Sequence, residues 1–104
     1  MKVFISSKRM GVQASGEYNP ETNTLVVFAG SILSKEIKRS EKFRGANSIE
    51  KARKNNLDGC VLQHDMTFTS ASTAGNFVTG RSTNGLIVWK NKDGITLKEL
   101  LSRS

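Results

Sequence analysis

Phe68–Leu100, FTSASTAGNFVTGRSTNGLIVWKNKDGITLKEL, carries the clearest punctuation in the chain. Ser70 is a good helix N-cap, and Ala71, Ala74, Phe77 and Val78 recur behind it at helical spacing. Gly80 then stops the helix, as a residue tolerant of left-handed backbone should. Asn84-Gly85 favours a tight turn with positive φ, and Leu86-Ile87-Val88-Trp89 is rich in β-formers and predicts a strand. Asp93-Gly94 marks another turn. Thr96-Leu97-Lys98-Glu99 has the spacing of a capping box, with Glu99 set to reach back to the Thr96 N–H.

Upstream, Val3-Phe4-Ile5 predicts a short strand. From Gly11 to Tyr18, Val12, Ala14, Gly16 and Tyr18 alternate with Gln13, Ser15 and Glu17, the period of a half-buried strand. Asn19 to Asn23 is a turn cluster around the single proline, and Leu25-Val26-Val27-Phe28-Ala29 predicts a strand covered on both faces. Two strands joined by such a turn form an antiparallel hairpin. Asn47 to Leu57 predicts a helix capped by Asn47 with Glu50 as partner. Ile49, Ala52, Arg53 and Asn56-Leu57 give it only a narrow apolar stripe, while Lys51, Arg53 and Lys54 crowd the outer side. Cys60-Val61-Leu62 starts another strand, and Met66-Thr67-Phe68 leads into Ser70. The order predicts a compact α+β fold over residues 1–104: one accessory or binding domain, an antiparallel sheet opening in a β-hairpin, and about three short helices.

Composition narrows the function classes. The chain has 104 residues, 37% of them hydrophobic and 24% charged, ordinary proportions for a globular domain. No apolar run nears the roughly 20 residues needed to span a bilayer, and the N-terminus lacks a signal-peptide core. The expectation is a cytoplasmic protein with no membrane partner. One cysteine, Cys60, excludes an intrachain disulfide, and one histidine, His64, is its only candidate base. On a strand their spacing would hold them roughly 13 Å apart, too far for a nucleophile and its base. A zinc site needs about four such ligands. Glu36-Ile37-Lys38 matches the acid-x-lysine fragment of metal-dependent nucleases, but the carboxylates upstream are only Glu17 and Glu21. No Gly-x-Ser-x-Gly elbow or phosphate loop is present. The sequence points away from an enzyme, and it implies no catalytic residue, metal or cofactor.

Binding residues are easier to nominate. The formal net charge of +7 suggests a polyanionic partner, nucleic acid first. Lys35, Lys38, Arg39, Lys42 and Arg44 concentrate positive charge in a stretch with two apolar anchors, a loop or a frayed helix. Arg81, Ser82 and Asn84 cluster between a helix end and a turn, where arginine suits phosphate or guanine and asparagine suits adenine. Asn84 is equally a turn residue, and Ser82 could bond local backbone. Lys90 and Lys92 flank Trp89, whose indole fits a core anchor better than a stacking platform.

These residues also carry a family wording. Ser70 and Ser72, then Gly80-Arg81-Ser82 with Asn84-Gly85, then Trp89-Lys90, Asp93-Gly94 and Thr96-Leu97 follow Ser-Pro-Ser-Ala-Ala, Gly-Arg-Ser-x-Asn-Gly-Trp and Trp-Lys-x-x-Asp-Gly-x-Thr-Leu. Gly11-Val12, Gly16-Glu17-Tyr18 and Phe28 to Ser31 look like the family's opening hairpin. The chain thus resembles the small domain of unknown function found C-terminal in GIY-YIG nuclease-like and restriction-type proteins. It is similar to RAMA domains, named for restriction enzymes and adenine methylases. Ala71 stands for the family's proline, and Leu86 for an aromatic. The resemblance implies an accessory DNA-binding module of restriction or modification systems, reading modified bases and working beside a nuclease or methylase. The rival expectation is a protein-interaction or self-associating module, a homodimer paired through hairpin edges.

Overall fold

The computed structural model describes residues 1–38 and 46–103. Four strands, β1 (Lys2–Ser7), β2 (Val12–Asn19), β3 (Thr24–Val27) and β6 (Met66–Phe68), form an antiparallel sheet in the order β1-β2-β3-β6. Its register pairs Val3 with Gly16, Tyr18 with Leu25, and Leu25 with Phe68. A second sheet is the small hairpin β4 (Leu57–Asp58) and β5 (Val61–Leu62). Ile32 ties the two sheets together by bridging Gln13 on one side and Val61 on the other. Among the described residues there are four helices: α1 (Ala46–Arg53), α2 (Ala71–Thr79), α3 (Gly85–Val88) and α4 (Leu97–Ser102). The α+β class and the antiparallel sheet agree with the sequence reading.

The alternation in β2 decides which face is covered. Val12, Ala14, Gly16 and Tyr18 are buried, whereas Gln13, Glu17 and Asn19 are exposed. β3 alternates too, with Leu25 and Val27 buried and Val26 half-buried. It is therefore a one-sided strand and not the doubly covered one expected from its apolar run. α2 packs on the inner face, where Phe68 and Phe77 meet with ring centroids 4.9 Å apart. Trp89 and Leu97 complete this core, both fully buried. The indole N–H of Trp89 donates to the Ala71 carbonyl at 3.0 Å, so Trp89 is a satisfied core residue and not a base platform.

Four local expectations are corrected. Leu86 to Trp89 is not a strand: Gly85–Val88 is a single helical turn, and Trp89 is its C-cap. Asn84 has an extended backbone with φ −92°, and its side chain caps α3 by accepting from the Leu86 N–H. Four apolar residues have no periodicity of their own, so the surroundings decided. The Ser72 hydroxyl accepts from the Gly85 N–H at 3.0 Å, seating the turn against the start of α2. Asn47 lies inside α1, which begins at Ala46 and ends at Arg53, four residues short of Leu57. Cys60 sits in the β4–β5 turn and does not begin the strand.

Two caps were legible. Ser70 accepts from the Thr73 N–H at 3.0 Å, and Gly80 closes α2 in the left-handed region with φ 70°. The capping box of α4 is formed in its forward half, with Thr96 accepting from the Glu99 N–H. Glu99 turns the other way and pairs with Arg103 at 3.0 Å. Lys90 bridges Phe4 with two backbone hydrogen bonds, of 2.7 and 3.0 Å, occupying part of the outer edge of β1.

Candidate nucleic-acid interface

The segment between α2 and α3, residues 80–84, is anchored at both ends. Asn76 accepts from the backbone and hydroxyl of Thr83 at 2.8 and 3.0 Å, and Asn84 caps α3. Where α2 ends, its carbonyls need partners. The Gly80 N–H donates to Asn76, the Thr79 hydroxyl to Gly75, and the Ser34 N–H to Val78. Arg53 adds two more bonds here: Nε and Nη2 donate to the Phe77 carbonyl at 3.1 and 2.7 Å, and Nη1 donates to the Ser34 carbonyl on the neighbouring segment at 2.9 Å. Its guanidinium also lies 5.9 Å from the Phe77 ring centroid.

Arg53 is thus a buried structural cation, 9% exposed, and not one of the outward charges expected from the α1 pattern. Burial pulls its pKa below the ordinary arginine value, and nearby Cys60 pushes it back up. A cation at a helix C-terminus also complements the negative end of the helix dipole. A lone arginine on the narrow apolar side of α1 was the available sequence signal. Chain topology alone shows which carbonyls it serves.

Beyond this clamp, the Lys38 N–H donates to the Gly80 carbonyl at 2.6 Å. Gly80 is packed so closely that a side chain there would meet the Glu36 carbonyl and the Ser34 hydroxyl. Lys35 and Lys38 therefore belong to a segment lying directly against the start of Arg81-Ser82. All four side chains are exposed and form no hydrogen bond or ion pair with the described residues. Arg39, Lys42 and Arg44 lie outside the described residues.

On the other side of the 80–84 segment, Asn84 lines an open groove of about 820 Å³ with Lys90 and Lys92. Ile5, Met10, Ile87 and Val88 give it apolar walls. Arg81, Ser82, Lys35 and Lys38 do not line it. A smaller cleft of about 480 Å³ runs past Ser34, Arg53 and Cys60. His64 is exposed, and its Nε2 pairs with the Asn56 carboxamide oxygen at 2.7 Å; no hydrogen bond joins it to Cys60. No three His, Cys, Asp or Glu side chains come together as a metal-holding group among the described residues. Among the same residues, no helix is long and apolar enough to cross a membrane.

A family model described as Domain of unknown function (DUF4357) matches residues 3–101. The chain belongs to that family. No curated protein and no solved structure matches it. Within this DUF4357 domain, the motif residues quoted above divide by use. Ser70, Ser72, Gly80, Asn84, Gly85 and Trp89 all have structural work, as caps, seats or core. The side chains of Arg81, Ser82 and Lys90 form no hydrogen bond or ion pair with the described residues.

Proposed function

We propose that this DUF4357 domain is a non-catalytic DNA-binding module, the accessory part of a restriction or modification system. The observation that carries the reading is the single bond from the Lys38 N–H to the Gly80 carbonyl. It joins the basic segment to the Arg81 corner, while Asn84 and Lys90 lie in the groove on the other side of the 80–84 segment. Side chains with no partner in the fold and positive charge facing water are what a phosphate backbone requires. Lys35, Lys38, Arg81, Ser82 and Lys90 take phosphate contacts, and Asn84 lies where a base edge could be met. Arg39, Lys42 and Arg44 add positive charge in the sequence beside Lys38. Reading of modified bases, and work beside a nuclease or methylase, are parts of this proposal that rest on the resemblance alone.

The test is a gel shift with a 20-bp duplex at two ionic strengths, repeated with Arg81→Ala and Lys38→Ala. Binding at low salt that collapses at high salt, weakened severalfold by either variant in a still-folded protein, supports the reading. Absence of a shift at low salt sinks it. A second reading, self-association, is favoured by a specific pair. Ile32 and Val61, bridged to each other, are 41% and 37% exposed and form an apolar spot on the surface. Light scattering that shows a dimer without oligonucleotide would support that alternative.

A further inference from the structure

We infer that the groove bounded by β1, β2 and α3 is a nucleotide subsite, taking one unstacked base with its phosphate. The inference rests on the nucleic-acid reading above and names the strand form that this part of the surface would hold. Size is the first argument: about 820 Å³ lies in the range of small-molecule sites, roughly 300–1,000 Å³.

Charge is the second. Among the described residues no aspartate or glutamate lines the groove, while Lys90 and Lys92 do. The third is the polarity of its amides. The side-chain oxygen of Asn84 accepts from the Leu86 N–H, and that of Asn91 accepts from both the Asp93 and Ile95 N–H groups. Those bonds fix each carboxamide with its oxygen turned to the backbone, leaving the NH₂ groups as donors with capacity to spare. Two lysines and two asparagines with spare donor capacity therefore line one cavity, complementary to a ligand rich in acceptor oxygens.

The walls supply the remaining requirement. Ile87 is 44% exposed, and Met10 and Val88 are half-buried, so an apolar surface stays open beside the donors. A nucleotide combines a flat apolar face, ring and carbonyl acceptors, and an anionic phosphate in one unit. Within a duplex the stacked base cannot present its face to Ile87, whereas in a single strand it can. The phosphate falls to Lys90 and Lys92, the base edge to the Asn84 and Asn91 amides, and the base face to Met10, Ile87 and Val88.

The experiment titrates the full chain with a 12-nucleotide thymidine strand and with a 12-bp duplex, followed by anisotropy and by methyl NMR. The expected result is a shift of the Met10 and Ile87 methyl signals by the single strand and not by the duplex. Ile87→Glu should lower single-strand affinity about tenfold more than duplex affinity. Lys92→Glu, on an exposed turn, should do the same and carries the test if Ile87→Glu fails to fold. Equal losses for both DNA forms, or methyl signals that stay put while duplex still binds, overturn the subsite and leave the duplex reading intact. If neither DNA form binds at low salt, both readings fall. Binding of an acidic leucine-containing peptide with the same variant sensitivity, in place of oligonucleotide, also overturns it.

Discussion

Arg53 shows how a single side chain can hold a loop in place from beneath. Its guanidinium satisfies carbonyls on two segments that diverge in sequence, at Ser34 and at Phe77. Arg53→Met would leave those buried acceptors without partners, which costs about 3 kcal/mol once several charge-assisted bonds are lost together. Urea unfolding should show that loss, and Arg53→Lys should recover only part of it, because an ammonium cannot reproduce the planar fork. Stability equal to the parent protein would mean that water replaces the guanidinium. Gly85 makes the opposite point about residue choice. Its glycine suggested positive φ, yet the requirement is space: a Cβ there would run into the backbone of Ala71 and Ser72. Gly85→Ala should therefore destabilise the domain by about 2 kcal/mol or more, through forced separation of α3 from α2. Thermal unfolding of the variant at unchanged Tm would remove that explanation.

At the scale of elements, α3 combines a structural and a binding assignment in one residue. Asn84 caps the turn, and it also faces the groove. Aspartate caps as well as asparagine, so the two roles can be separated. Asn84→Asp should stay within about 0.5 kcal/mol of the parent in denaturant stability while weakening oligonucleotide binding severalfold, because a carboxylate then faces phosphate. Unchanged binding would leave Asn84 as a cap only. The same element shows where local reading stopped. β-propensity in Leu86-Ile87-Val88 pointed to a strand, but propensity reports how well a residue fits a pleated half-buried surface, and the Asn84 cap and the Ser72 seat hold these residues in a helical turn. Lys90 took the bridge to Phe4 instead. Ser70 and Gly80 were legible because a cap is settled within one helical turn, by bonds to neighbours in sequence.

For the whole molecule the deciding quantity is charge. With Lys35, Lys38, Arg81 and Lys90 each neutralising a phosphate, log K should fall against log[salt] with a slope of about −3 to −4. A salt titration on duplex DNA gives that slope directly, and Arg81→Ala should make it shallower by about one. A flat line would show that the net charge of +7 serves solubility and not a polyanion. The core is equally a property of the whole: Trp89 and Leu97 from the last third of the chain pack with Val3 and Ile5 from its first strand.

By itself the sequence determined the α+β class, the alternation of β2, the ends of α2 and the excess of positive charge. Each depends on neighbours within a few residues, or on composition alone. Tertiary structure alone decided that Arg53 points inward, that Leu86 to Val88 coil instead of extending, and that Lys38 lies against Gly80. Those outcomes depend on contacts between residues far apart in the chain, where burial and unsatisfied carbonyls outweigh the preference of any single residue.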